Sequence, residues 1–239
     1  MVSMPSISVI VRTTGRPLLE RALACVVAQT HRPLEIVLAD SLLTQEPRES
    51  SGDVPVRLIQ RGRMYRAQAA NAGLDAARGD LVAFLDEDDE IDPGHLGDLV
   101  AALQAERGTR AAYSQTRLVS AGGETERLLG GPFNRMRLFM SNYLGIHAVL
   151  FERSLVVEGC RFDESLPIFE DWDFWLQLSM RTAFAFTGKP TAIYHTAAGD
   201  SGAGAGTNLN RAAVLAQRER LTRKWANARR ALEIASGLP

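Results

Sequence analysis

The chain has 239 residues, 46% of them hydrophobic and 23% charged, with a formal net charge of -1. That length supports one large α/β domain with a real core, and the near-zero charge excludes a global attraction to nucleic acid. Two lone cysteines, Cys25 and Cys160, make neither a disulfide framework nor a zinc site and suit a reducing compartment.

The N-terminus passes straight into a strand-like run without a basic-then-apolar leader, so no secretory signal is expected. No apolar run approaches the roughly 18 residues of a membrane span. The expectation is a cytoplasmic protein.

Ile7 to Val11 is a short β-branched strand. Pro17 to Gln29 follows as a helix, with Leu18, Leu19, Ala22, Leu23, Val26 and Val27 on one face; proline suits a first helical turn, where its missing N–H costs nothing. Leu34 to Ala39 is the next strand and ends at Asp40. A polar loop leads to the strand Val54 to Ile59. Arg66 to Ala77 is a helix ended by Gly79, and Leu81 to Leu85 is a fully apolar strand. Strands alternating with helices imply right-handed crossovers and a mainly parallel sheet covered on both faces. The second half is less regular. Its expected elements are a helix from Pro93 to Arg107, strands at Ala111 to Ser114 and His147 to Phe151, a turn at Gly122-Gly123, a helix from Trp172 to Arg181, and a strand at Ala192 to Tyr194. Asp200 to Thr207 carries three glycines and reads as a loop or lid.

Ligands of an open α/β sheet bind outside the carboxyl ends of the strands. That rule selects Arg12-Thr13-Thr14, Asp40, and Asp86-Glu87-Asp88-Asp89. Closely spaced carboxylates repel unless a cation joins them, and oxygen ligands at i, i+2 suit Mg or Mn. The competing reading is a solvated acidic loop that caps the helix near Pro93. Ile91 stands where a calcium EF-hand needs glycine, so that loop type is excluded. Glu170-Asp171-Trp172-Asp173 is a second acidic cluster. It reads either as helix capping or as a carboxylate base aimed at a hydroxyl. His195 reads as a metal or phosphate ligand or as a plain strand-end histidine. No GxGxxG, P-loop, HExxH or GxSxG is present.

Three blocks in order resemble the family 2 glycosyltransferases of GT-A fold: ISVIVRTTGRP with the following helix and strand, RAQAANAGLDAARGDLVAFLDEDDEIDPGHL, and VLFERSLVVEGCRFDESLPIFEDWDFWLQL. The resemblance runs from about Ile7 to Ser201. It implies a mainly parallel, Rossmann-like sheet flanked by helices. Residues 1–207 would form the catalytic domain, with 1–115 as the nucleotide-binding half and 116–207 as the acceptor-binding half. Arg12, Thr13, Thr14 and Asp40 would hold the nucleotide base, and Arg66 with Asn71 would lie near the diphosphate. Asp86 and Asp88 would be the DxD pair, flanked by Glu87, with Asp88 on Mn or Mg and Asp86 near the ribose. Asp171 would be the base and Glu170 its neighbour. His195 would reach the metal or diphosphate. The implied reaction is inverting transfer from a nucleotide-sugar, with UDP the expected carrier, to a saccharide or lipid-linked acceptor. The sequence departs from the family at Asp40, where a second acid is missing, and at Ala70, where arginine is common.

Two rival readings are a sugar-phosphate nucleotidyltransferase and a glycosyltransferase-like binding protein. The first would want a Gly-rich loop after the first strand, where Arg12 to Pro17 is poor in glycine. The tail, 208–239, reads as a basic helix. From Asn208 to Ala235 it has seven Arg or Lys against two Glu, with Val214, Leu221, Trp225 and Leu232 at near-helical intervals. It reads either as a helix packed on the domain or on a second subunit, or as one docked on the anionic inner face of the membrane.

Overall fold

Strand β1 (Ile7–Thr13) is buried along its whole length. Its side chains alternate in destination: Ile7, Val9 and Val11 enter one apolar cluster and Ile10 a second cluster on the opposite face. Successive side chains of a strand point to opposite sides, so a strand buried on both is a central strand of a covered sheet.

The computed structural model describes residues 4–196 and 210–235. After β1 come α1 (Leu19–Val27), β2 (Leu34–Asp40), the two-residue β3 (Ser50–Ser51), β4 (Val54–Ile59), α2 (Arg66–Ala76) and β5 (Leu81–Asp86). Then follow β6 (Glu90–Ile91), α3 (His95–Ala105), β7 (Ala111–Tyr113), β8 (Thr116–Val119), β9 (Thr125–Leu129) and α4 (Arg135–Met140). A 3-10 turn (Ile146–Ala148) leads to β10 (Val149–Glu152), α5 (Ser154–Val157), α6 (Glu170–Ser179), β11 (Phe184–Phe186), β12 (Ala192–His195) and α7 (Arg211–Ala235). The Gly-rich segment Asp200 to Thr207 lies outside the described residues.

The main sheet has the order β11-β7-β10-β5-β1-β2-β4-β3. Strands β5, β1, β2 and β4 run parallel, while β10 runs antiparallel to both β5 and β7. A four-stranded sheet, β6-β12-β8-β9, stands beside it. Helices α1 and α3 cover one face of the main sheet, and α2, α4, α6 and α7 contribute to the core on the other. The fold is the mixed α/β arrangement expected, with β8 and β9 antiparallel across Gly122-Gly123.

Two local differences have physical causes. The strand expected from His147 begins at Val149, because Ile146–Ala148 forms a turn that sends the His147 ring inward to Asp89. Strand β11 is only three residues long, too short to carry a periodic signal.

Helix α7 packs on its own domain. Leu221 is buried, and Trp225, Ala228 and Leu232 join the cluster that contains Trp172 and Phe174. This i, i+4, i+7, i+11 stripe is one helical face. Polar bonds fix its register: Trp225 Nε1 donates to the fully buried Asp173 at 2.8 Å, and Lys224 Nζ reaches Asp173 at 2.9 Å and Asp163 at 2.8 Å. No helix among the described residues is long and apolar enough to cross a membrane.

Candidate active site

Parallel pairing aligns the carboxyl ends of three central strands. Thr13 is in register with Asp40, and Arg12 with Asp86. Arg12 and Asp86 also share a face, the one covered by α2 and α6, by the same alternation that places Ile10 and Phe84 there. The Arg12 guanidinium donates from Nε to Asp86 Oδ1 at 2.6 Å and from Nη2 to Oδ2 at 2.7 Å. Burial opposes ionisation of Asp86. Arg12, with Arg66 and His147, more than offsets it and holds the carboxyl below the usual range.

Helix α2 lies close on β1 because Gly73 has no side chain; a Cβ there would stand 2.3 Å from Ile10 Cγ2. The helix is started by Gln68, whose side chain accepts from the Tyr65 N–H at 2.9 Å. Its first residue, Arg66, thereby overhangs the strand ends. Arg66 Nε is 3.2 Å from Glu170 Oε1, and Arg12 Nη1 is 3.5 Å from the same oxygen. Glu170 is 2% exposed, so two guanidinium groups compensate one buried carboxylate. Glu170, the first residue of α6, therefore faces the strand ends.

The opposite face holds Glu87. The Thr13 and Thr14 hydroxyls donate to its carboxylate at 2.5 and 2.6 Å, and Arg16 Nε at 2.8 Å. Burial pushes Glu87 up, but these donors bring it below the usual range. Its carboxylate is thus a fastener for the loop after β1. Asp40 is fully buried on that face and organises its own loop, accepting from Leu42 N, Gln45 N, Thr44 Oγ1 and Gln60 Nε2.

Asp86, Asp88 and Asp89 each offer a carboxylate oxygen, and these oxygens lie within 4.8 Å of one another. Asp88 meets Arg16 at 3.0 Å. Asp89 is buried and faces His147 Nδ1 at 2.9 Å. Burial raises Asp89. Burial lowers His147, but Asp89, Asp86 and Asp88 outweigh it and hold the imidazole above its ordinary value. The two groups form a close buried pair beneath the acidic cluster. Hard oxygen donors gathered this tightly fit a divalent Mg or Mn ion.

Asp171 occupies the first turn of α6 with Glu170 and Asp173, where helix N–H groups favour negative charge. The preceding residue, Phe169, has φ +66, a left-handed conformation uncommon for a bulky side chain. Burial, followed by the charge of Glu170, pushes the Asp171 carboxyl up to about 6, against the pull of Arg66 and Arg12. Asp171 is thus a carboxylate with raised proton affinity, near the cluster of Arg12, Arg66 and Glu170.

The cleft so formed is lined by Arg12, Thr14, Arg66, Asp86, Asp88 and Tyr194, among others. Two of the expected site residues have partners of their own in this structure. The Asn71 amide donates to Phe162 O and Glu164 Oε1 and accepts from Phe162 N, tying α2 to the segment before α6. His195 Nε2 is 2.5 Å from Glu90 Oε1, on the strand pair β6–β12. The structure adds His147 and Arg16. His147 follows an irregular loop and carries no sequence signal. Arg16 was legible only as part of the loop after β1.

With that geometry in place, the comparisons fall on one class. The sequence matches glycosyl transferase family 2 over residues 7–156. It is 27% identical over 212 residues to the GalNAc(5)-diNAcBac-PP-undecaprenol beta-1,3-glucosyltransferase of Campylobacter jejuni subsp. jejuni serotype O:2, covering 83% of this chain and 67% of that protein. It is 30% identical over 200 residues to the succinoglycan biosynthesis protein ExoO of Rhizobium meliloti, covering 73% of this chain and 56% of that one. Among solved structures, S. aureus TarS 1-349 in complex with UDP-GlcNAc has a TM-score of 0.64 at 18% identity, over 81% of this chain and 59% of that chain. The mannosyltransferase PcManGT from Pyrobaculum calidifontis, in complex with GDP-Man and Mn2+, has a TM-score of 0.59 at 18% identity, over 81% of this chain and 57% of that one. The fold is GT-A, and the chain belongs to glycosyl transferase family 2. It spans 20%, 67% and 29% of the length of three curated relatives that it matches.

Proposed function

We propose that the protein transfers a sugar from a nucleotide-sugar, UDP-linked by preference, to a hydroxyl of a saccharide or lipid-linked acceptor, with inversion at the anomeric carbon. Residues 1–207 form the catalytic unit in this reading. The observation that carries it is the pairing of Asp171, pushed up to about 6, with the Asp86-Asp88-Asp89 cluster, linked through Glu170 and Arg12.

A single displacement needs one base and one stabiliser of the leaving group. Asp171 takes the acceptor O–H proton as that oxygen forms a bond to C1. The bond from C1 to the diphosphate oxygen breaks, and its electron pair leaves with the nucleoside diphosphate. A proton affinity near 6 suits this role. At neutral pH the group is largely ionised, yet it remains a better proton acceptor than an ordinary carboxylate. Asp88, with Asp86 and Asp89, would hold Mg or Mn, and that ion supplies charge neutralisation to the diphosphate. Thr13, Thr14 and Asp40 shape the base pocket through the loops that they fasten. Arg66 lies at the diphosphate side, where its charge favours an anion. The leaving group needs no protonation, which separates this scheme from glycosidase chemistry.

The test is calorimetric binding of UDP, GDP, ADP and CDP with Mn, with Mg and with chelator, to wild type and Asp88→Ala. Binding of one nucleotide that needs the metal and is lost in the variant supports the reading. Absence of binding under every condition sinks it and favours a glycosyltransferase-like protein without turnover. A product with retained anomeric configuration would refute the single displacement.

A further inference from the structure

We infer that Asn142 is the positioning residue of the Asp171 base, fixing the plane in which its carboxylate meets the acceptor hydroxyl. The inference rests on the proposed role of Asp171 and extends it to a residue in the stretch between β9 and the 3-10 turn.

The contacts are specific. Asn142 Nδ2 donates to Asp171 Oδ2 at 3.0 Å, and Trp172 N donates to Asp171 Oδ1 at 2.7 Å. Each oxygen has one holder, so rotation of the carboxylate is stopped at both ends while a lone pair on each remains for a proton. The Asn142 amide cannot be reversed. Its Oδ1 accepts from Leu144 N at 3.1 Å, which leaves Nδ2 to face Asp171.

The loop that carries Asn142 is built to hold it still. Its next two residues, Tyr143 and Leu144, are 2% and 1% exposed. The Tyr143 hydroxyl accepts from Asn134 N at 3.0 Å and donates to Asn134 O at 3.1 Å, pinning the loop to the start of α4. The Arg137 guanidinium lies 4.3 Å above the Tyr143 ring. Gly145 closes the loop against β8, where a Cβ would stand 2.8 Å from Thr116 Oγ1. An amide on so fixed a support, given to one oxygen of a carboxylate, suits orientation of that carboxylate.

The charged groups facing Asp171 are Glu170 on its own helix, Arg66 of α2 and Arg12 of β1. Asn142 is a neutral side-chain donor beside them, and the Trp172 N–H is a neutral backbone donor. Its hydrogen bond favours the ionised form, so its loss moves the protonation of Asp171 upward and frees the carboxylate to turn. A negative charge placed at the same position moves it further.

The experiment measures steady-state release of UDP from UDP-glucose or UDP-N-acetylglucosamine, whichever binds, against pH. The proteins are wild type, Asn142→Ala, Asn142→Asp and Asp171→Asn, and calorimetric UDP binding with Mn accompanies each. Expected are a kcat reduced about 10- to 100-fold in Asn142→Ala and an acidic limb of kcat/KM that moves up from wild type to Asn142→Ala and further to Asn142→Asp, with UDP affinity unchanged. An acidic limb that stays in place or moves down overturns the inference, because a merely structural tether would not order these two variants by charge. If Asp171→Asn turns over like wild type, the base assignment itself falls and takes the inference with it. An inactive Asp171→Asn beside Asn142 variants with an unmoved limb overturns the role of Asn142 alone.

Discussion

The guanidinium of Arg12 lies along the carboxylate of Asp86, with Nε–Oδ1 at 2.6 Å and Nη2–Oδ2 at 2.7 Å. This fork-to-fork pair joins the acidic cluster after β5 to Glu170 at the head of α6, since Arg12 Nη1 also approaches Glu170. Arg12 is buried and the Asp86 side chain is 16% exposed, so little water can replace the pair if one side is removed. Arg12→Leu is expected to lower stability by about 3–5 kcal/mol, the usual cost of stranding a buried charge. Arg12→Lys keeps the charge without the two-point geometry and should fall between Arg12→Leu and wild type. Urea unfolding of the three proteins checks the order; equal stability would show that Asp86 finds another partner.

Asp88 is the member of the acidic cluster whose removal disturbs the fold least. It meets Arg16 at 3.0 Å, and the Arg16 side chain is 27% exposed and also held by Glu87. Asp88→Ala, at a side chain that is 16% exposed, should cost no more than about 1 kcal/mol of stability, the typical size of a single substitution, while metal-dependent nucleotide binding disappears. Thermal melting alongside calorimetry separates the two effects. A variant that melts early would make Asp88 structural.

The acidic limb of kcat/KM is expected near pH 6, set by Asp171. The sign follows from the base role. The group must be unprotonated to accept a proton, so activity rises as pH climbs through the folded-state value and is lost below it. Asp171→Asn should lower turnover about 100- to 10,000-fold and remove that limb. Rates measured from pH 4.5 to 9 would decide this. A limb near 4 would mean that Asp171 is not desolvated in the working enzyme.

Helix α7 is expected to be part of the folding unit. Asp173 has 0% exposure and is compensated by Trp225 Nε1, Lys224 Nζ and Gln177 Nε2. Trp225→Phe keeps most of the apolar contact and removes one of these donors, at a cost of about 1–3 kcal/mol for the part-satisfied carboxylate. Circular dichroism during urea titration checks the magnitude. An unaffected midpoint would mean that α7 docks too weakly to matter.

His147 supports Asp89 from beneath the cluster. His147→Leu fills similar space but leaves the buried Asp89 carboxyl without its imidazole partner. Since removing one member of a buried pair costs about 3–5 kcal/mol, lower stability is expected together with weaker Mn-dependent UDP binding. Differential scanning calorimetry and titration read the two quantities separately. Unchanged values for both would remove His147 from the site.

The sheet, its face-covering helices and the strand-end positions of Arg12, Asp40 and Asp86 were legible in the residues themselves. Apolar period, the proline before α1 and the apolar run of β5 act over a few neighbours, and the sheet-edge rule then needs only the order of strands. Asp171 was singled out from its neighbours only by the resemblance to family 2, since its own spacing left helix capping and a base role open. Tertiary packing decided the remainder. Which face of each strand a polar residue meets separates Arg12 and Asp86 from Glu87 and Asp40, and the alternation becomes chemistry only once α2 and α6 are laid on one side. Asn71 turned toward Phe162, His195 paired with Glu90, His147 came under Asp89, and Asn142 reached Asp171 across 29 positions. The basic tail folded onto Asp173 through the apolar stripe of Leu221, Trp225 and Leu232, which the sequence displayed without saying what it would pack against. Local sequence determines backbone conformation and apolar faces through short-range sterics and periodicity. The partner of a buried charge or amide depends on which distant group the packed core delivers within hydrogen-bonding distance, and that is decided only when the whole chain is assembled.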